Sequence, residues 1–207
     1  MIPFADLWPI LLGWAIAVSS PGPAVLAIVG AAMGGGRAKG VAVAVGVWNG
    51  SMVWATVAAF GLGAAMMAHV WIFELIRYAG AGYLLWLAFK SARSAVQGQK
   101  PSVIARSESL AQAWARGFTI HLMNPKAPLL WGSLYAVVVP AQAGIFAIVQ
   151  VGLSCVMISL VMMSIMALVF SIRFVSAGYL RLHRIFDATF ATLFGSAALK
   201  VMTSKLA

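Results

Sequence analysis

Two short segments of this 207-residue chain set helix-breaking prolines beside polar side chains in otherwise apolar surroundings: Ser20-Pro21-Gly22-Pro23 and Asn124-Pro125-Lys126. Proline withholds a backbone donor and clashes with the preceding turn, which frees nearby carbonyls for other partners. Ser and Asn are favoured helix N-caps, and Pro is favoured at the first helical position after them. Ser20-Pro21 and Asn124-Pro125 therefore each read as the start of a half-helix, whose open amides and positive dipole end favour an anionic group. Gly22 adds flexibility and permits close backbone approach. In hydrocarbon such breaks persist only where protein buries them or a polar cavity meets them. Matching interruptions in two halves of a chain are the best sequence pointer to a carrier's binding site.

Lys126 is the sharpest single residue. A lysine at the centre of a membrane span costs about 2.5–3.5 kcal/mol on insertion scales, and the first turn of a half-helix disfavours a cation further. Two readings stay open. Lys126 binds a substrate carboxylate or cycles its proton, or it snorkels and pairs with Asp187. Ser19, Asn49, Ser51 and His121 also lie inside apolar runs. They are suited to lining a cavity, and equally to hydrogen bonds between helices. At about 1.5 Å per residue, Ser20 lies about 21 Å from Asp6 and Asn124 about 12 Å from Arg116. The two breaks thus reach similar depth in a hydrocarbon core about 30 Å thick. Two simple kinks absorbed by packing are the plain alternative.

The elements that must position these residues are membrane spans. Hydrophobic residues make up 63% of the chain and charged residues 9%, with a mean hydropathy of +0.98. A soluble domain carries roughly 25% charged residues. No Asp, Glu, Lys or Arg occurs between Asp6 and Arg37, between Lys39 and Glu74, or between Lys126 and Arg173. The pattern predicts an all-α polytopic membrane protein with six transmembrane helices, at about 5–33, 41–67, 71–90, 114–138, 145–172 and 183–202. The first and fourth are broken. Residues 1–207 form a single transmembrane domain, with halves about 1–90 and 114–207 around a polar loop, 91–113. Ala15-Ile16-Ala17 resembles a signal-cleavage site, but residues 1–36 hold no Lys or Arg for a positive leader, so this segment reads as the first span.

Lys and Arg cluster in three loops: Arg37 and Lys39; Lys90, Arg93, Lys100, Arg106 and Arg116; and Arg173, Arg181 and Arg184. Six spans put these loops on one side, the cytoplasmic one by the positive-inside rule, with both termini outside. Lys200 and Lys205 vote weakly the other way. Uncharged stretches ending in Lys close both halves, at 78–89 before Lys90 and 188–199 before Lys200. Three spans per half make the second copy enter from the opposite side, a 3+3 inverted repeat.

Other classes find little support. The net charge of +10 sits in loops, with no basic face or aromatic-interleaved motif for nucleic acid. Cys155 alone cannot form an internal disulfide or a CxxC pair, and the methionines at 157, 162, 163 and 166 read as packing. No metal, cofactor or enzyme constellation is evident. Trp8, Trp14, Trp71, Trp86 and Trp114 are expected in the interfacial belt, and Glu74 with Arg77 as a local pair. Gly61-x-Gly63 is suited to helix packing within one chain or between copies, which leaves a homo-oligomer open. A carrier of another small solute or ion, a membrane enzyme and a structural scaffold are the rival readings.

Several motifs together resemble one family. Ser20-Pro21-Gly22-Pro23 followed by Gly34-Gly35-Gly36-Arg37-Ala38-Lys39-Gly40, then Tyr78-Ala79-Gly80-Ala81-Gly82-Tyr83-Leu84-Leu85-Trp86-Leu87, then Gly117-Phe118 with Leu122-Met123-Asn124-Pro125-Lys126-Ala127, resemble the LysE/RhtB amino-acid exporters over nearly the whole chain. The resemblance implies a six-helix bacterial inner-membrane exporter driven by the proton gradient. Ser51 stands after Gly50 where many relatives carry Asp, and Ala24 where Asn is frequent. No buried carboxylate is available for a cationic side chain, so a neutral amino acid or close derivative is the expected cargo. The half-helix N-termini and Lys126 would hold its carboxylate. Asn49, Ser51 and freed carbonyls near Ala17 and His121 would receive its ammonium.

Overall fold

The computed structural model describes residues 2–20, 22–62, 70–98, 107–138 and 144–203. Pro21, His69, Lys100, Pro101, Arg106, Pro140 and Lys205 lie outside the described residues, as do the side chains of Trp71, Glu74, Arg77 and Lys200. Every regular element described is helical. In chain order these are α1 (Phe4–Ser19), α2 (Pro23–Val57) running into a π-helical turn (Ala58–Leu62), α3 (Val70–Gln97), α4 (Leu110–Leu122), α5 (Lys126–Val138), α6 (Ile145–Phe170) and α7 (Arg173–Thr203).

α2 is in fact two antiparallel arms. Gly36 has φ 77° and ψ −177°, a combination essentially confined to glycine. A Cβ on Gly40 would stand 2.8 Å from the Cβ of Ala32, whereas residues eight apart in an unbroken helix are separated by about 12 Å. The chain therefore reverses on one residue. The arms α2a (23–35) and α2b (37–57) share a buried cluster of Ala24, Ile28, Ala31, Val43, Ala44 and Val47. The loop expected around Arg37 and Lys39 shrinks to Gly36, and the two basic residues sit in the first turn of α2b.

Glycine also sets the crossing of α2b with α4. A Cβ on Gly46 would collide with the carbonyl of Trp114, and one on Gly117 with the carbonyl of Val43. Only hydrogen fits there, so the two backbones touch, as small residues allow in membrane helix pairs. α3 packs against α7. At that contact Ser94 Oγ donates to Asp187 Oδ2 at 2.7 Å, and Arg184 donates to the carbonyls of Ala95 and Val96 at 2.9 and 3.1 Å. The two arginine bonds satisfy last-turn acceptors of α3.

α6 has two apolar faces. Ala147, Val151, Cys155, Ser159, Met163 and Ala167 recur every four residues and are buried, while Phe146, Val149, Leu153, Met157, Val161 and Ile165 face outward. A helix apolar all round needs an apolar surrounding. At 26 residues α6 is long and apolar enough to cross a membrane. The run Pro23–Gly61 passes the same test, although it reverses at Gly36, and its arm 37–61 still reaches about 37 Å.

Element ends differ from the sequence expectation where helices outrun the apolar stretch. α3 continues past Lys90 and Arg93 to Gln97, and α7 begins at Arg173 rather than near 183. Lys and Arg are good helix formers, so charge marks the edge of an apolar slab without ending the helix. α4 begins at Leu110 rather than 114 because Ser109 and Gln112 close a capping box. Arg116 pairs with Glu108 at 2.6 Å on the same approach.

Candidate functional site

Both breaks are present and they meet. α1 stops at Ser19, and Ser20 continues in extended backbone at φ −68° and ψ 142°. The Ser20 hydroxyl donates to the Ala17 carbonyl at 2.6 Å, and its amide points to the same oxygen at 3.3 Å. The next half-helix opens at Gly22, which caps it in extended conformation, with Pro23 at the first helical position. Ser20 therefore closes α1 instead of capping α2a, which starts two residues after the point the sequence indicated. The reason is local: its side chain is committed backward to Ala17. Pro21 between them lies outside the described residues.

The second break follows the expected cap. The chain leaves α4 through Met123, whose amide donates to Thr119 O at 3.0 Å. Asn124 Oδ1 then accepts from the Lys126 amide at 3.2 Å, and Asn124 O accepts from Ala127 N at 3.0 Å. Pro125, which lacks a donor, occupies the position where none is needed.

Lys126 joins the two breaks. Its Nζ donates to Ser20 Oγ at 2.6 Å and to Ser20 O at 3.0 Å. Its stem passes Gly22, where a Cβ would lie 3.7 Å from Lys126 Cδ. The pairing of Lys126 with Asp187 does not occur. Asp187 accepts from Ser94 at the α3–α7 contact, and among the described residues no carboxylate lies within ion-pair range of Lys126. The ammonium rests on neutral oxygens alone, which leaves it electrostatically short of an anion.

A narrow cavity opens beside it. Ser20, Gly22, Ser51, His121, Asn124 and Lys126 supply its polar lining, and Trp14, Ile28, Val47, Trp131 and Met163 are among its apolar walls. Its free space of about 30 Å³ holds a water or two, far less than an amino acid needs. His121 and Asn124 are buried, and Gly50 gives His121 its place, since a Cβ there would come within 3.0 Å of His121 Cβ. Among the described residues, neither ring nitrogen of His121 meets a partner. Ser51 Oγ accepts from Trp131 Nε1 at 3.0 Å.

Asn49 is set apart from this group. Its Oδ1 accepts from Trp114 Nε1 at 2.9 Å on an exposed face, and it does not line the cavity. Pro23 and Pro125 shape the backbone without lining it. Ser19 Oγ is buried without a partner among the described residues, outside the cavity wall. Trp14, expected in the interfacial belt, is instead 3% exposed. Its Nε1 donates to Ser159 Oγ at 2.9 Å, and its ring lies 4.4 Å from that of Trp131. A tryptophan whose N–H finds a buried acceptor belongs inside. Trp8, Trp86 and Trp114 do face outward. Trp131 escaped the sequence reading, although its place five residues beyond Lys126, on the same half-helix, was a usable signal.

Comparison with known proteins gives a consistent picture. A family model described as LysE type translocator matches residues 15–205. The chain is 28% identical over 199 residues to a threonine efflux protein of Escherichia coli, covering 92% of this chain and 94% of that protein. It is 30% identical over 138 residues to a leucine efflux protein of an Enterobacter species, covering 67% of this chain and 65% of that protein. No solved structure matches the chain at a significant level.

Proposed function

This chain belongs to the LysE type translocator family, and on that footing we propose that it exports a small zwitterionic solute, a neutral amino acid or close derivative, across the bacterial inner membrane. The observation that carries the reading is the Lys126 ammonium, held at the junction of two broken helices with no carboxylate of its own. A substrate carboxylate supplies the missing anion, with the first-turn amides of α2a, at Ala24 and Val25 on the cavity wall, to receive its second oxygen. Among the described residues no acid lines the cavity, so a cationic side chain finds no counter-charge there. Threonine and leucine, the cargoes named for two relatives, are both neutral.

The six spans of the proposed topology are α1 with α2a, α2b with the π-helical turn, α3, α4 with α5, α6, and α7. Each half then opens on a broken helix, and the halves enter from opposite sides, with both termini periplasmic. The cavity is too tight for cargo as it stands, so export works by alternating access, the wall between the two breaks widening toward one side at a time. One proton, driven by the membrane potential together with an added pH gradient, meets the energy requirement. One charge across 100 mV is worth about 2.3 kcal/mol, and a hundredfold gradient of a neutral solute costs about 2.7 kcal/mol.

Counterflow in proteoliposomes tests the reading. Vesicles loaded with unlabelled threonine or leucine take up the labelled amino acid, while lysine and inorganic ions give no signal, and Lys126→Met removes the uptake. Normal counterflow in Lys126→Met would sink the assignment of the site. Ion uptake without amino-acid counterflow would favour the rival carrier.

A further inference from the structure

A second titratable side chain reaches the cavity. We infer that His121 carries the exchanged proton: its neutral ring accepts from the substrate ammonium, its protonated ring excludes the substrate, and the two states alternate. This rests on the export reading and deepens it.

His121 lies in the last turn of α4, 7% exposed, and lines the cavity with both ring nitrogens unpartnered among the described residues. A buried histidine kept for packing normally spends at least one nitrogen, as His183 does on the Leu180 carbonyl at 2.9 Å. Lys126, from α5, is the charged group that shares the cavity wall with it. α1 and α2 contribute Trp14, Val47 and Ser51, and α6 contributes Met163, none of which titrates near neutrality. Tyr135 and Cys155 sit in the neighbouring core cluster and do not line the cavity. On α4 itself, Arg116 is committed to Glu108.

Charge then dictates exclusivity. Among the described residues the wall contains a lysine and no acid, so an imidazolium and a substrate ammonium facing each other there are prohibitive. The His121 nitrogen that faces the substrate therefore holds either a proton or the substrate ammonium, and never both. A neutral imidazole nitrogen can accept from the ammonium while the substrate carboxylate meets Lys126, whereas imidazolium has donors only. When substrate binds, the proton leaves His121 for the solution to which the cavity is open. When substrate departs on the other side, a proton replaces it. Mutual exclusion at one nitrogen is a negative coupling between two ligands, and it drives them in opposite directions.

The test separates exchange from coupling, with labelled L-threonine and L-leucine as probes. Wild-type vesicles made one pH unit more acid inside accumulate the amino acid about tenfold per proton exchanged. In His121→Gln the amide oxygen replaces the ring as acceptor but carries no proton, so counterflow is weakened, by up to about tenfold, while pH-driven accumulation is lost altogether and falls to about onefold. In purified protein, threonine affinity falls toward acid in the wild type, by about tenfold per pH unit once His121 is protonated in the empty protein, and is flat in the variant. Full pH-driven accumulation by His121→Gln overturns this inference alone. Wild type without counterflow of either amino acid overturns the export reading and this inference with it. Should His121→Gln fail to fold, a wild-type affinity that stays constant with pH is enough to overturn the proposal.

Discussion

The Lys126 ammonium lies 2.6 Å from the Ser20 hydroxyl and 3.0 Å from the Ser20 carbonyl, across 106 residues of sequence. One side chain from the second half of the chain thus closes the gap left by the break in the first. Ser20 can serve because its backbone is extended, leaving its carbonyl outside any helix. The contact is made to neutral oxygens, so an arriving carboxylate competes for the same three donors on better terms.

Lys126→Met therefore abolishes amino-acid counterflow, by at least about a hundredfold, because it removes a charge-assisted bond worth about 1.5–3 kcal/mol together with the anion-attracting charge. Ser20→Ala removes one of two acceptors and leaves the carbonyl, so its loss is smaller, about fivefold. Equal losses in the two variants would mean that Lys126 acts by bracing Ser20 and nothing more.

The glycine crossing makes a stability prediction. Gly117→Ala and Gly46→Ala drive a methyl into a backbone carbonyl, and overpacking of that kind costs about 1–3 kcal/mol or more. Gly82→Ala is the control, since nothing lies within 4 Å of a Cβ there. Thermal melting in detergent should fall by several degrees in the first two and stay unchanged in the third.

Gly36→Ala destabilises for a different reason. No atom lies within 4 Å of the added Cβ, so the cost is purely conformational, about 1–3 kcal/mol for forcing φ 77° on an L-residue. Melting temperature compared with Gly13→Ala, also unobstructed and in ordinary helical backbone, separates strain from packing. Matching temperatures would show that the reversal tolerates a side chain.

Trp131→Phe should shift cargo preference. It deletes the bond to Ser51 Oγ and some wall volume in a cavity of about 30 Å³. The ratio of leucine to threonine counterflow rises, and an unchanged ratio would place the substrate side chain elsewhere.

Much of this was legible from residue types. Proline and cap residues in apolar runs announced both breaks, and the Asn124 cap is as its dipeptide suggests. Other parts depended on distances that no local pattern encodes. Ser20 caps backward because its hydroxyl found Ala17, a choice that the dipeptide Ser-Pro cannot reveal. Trp14 reads as interfacial by its place near one end of the chain, yet Ser159, far away in sequence, gives its indole a buried acceptor. The paired glycines Gly46 and Gly117 look like ordinary small residues until the two helices are laid across each other. Gly36 stood in a run of three glycines, and the run alone could not say which one turns.

The turn at Gly36 has a mechanical consequence. With a single residue between them, α2a and α2b have no slack and must swing together as a stiff lever. Any shift of the segment around Ser20 and Gly22 is handed through that elbow to α2b, and then, where Gly46 and Gly117 lock backbone to backbone, to the helix that bears His121. The two halves of the pocket are geared to each other by parts that never touch the cargo.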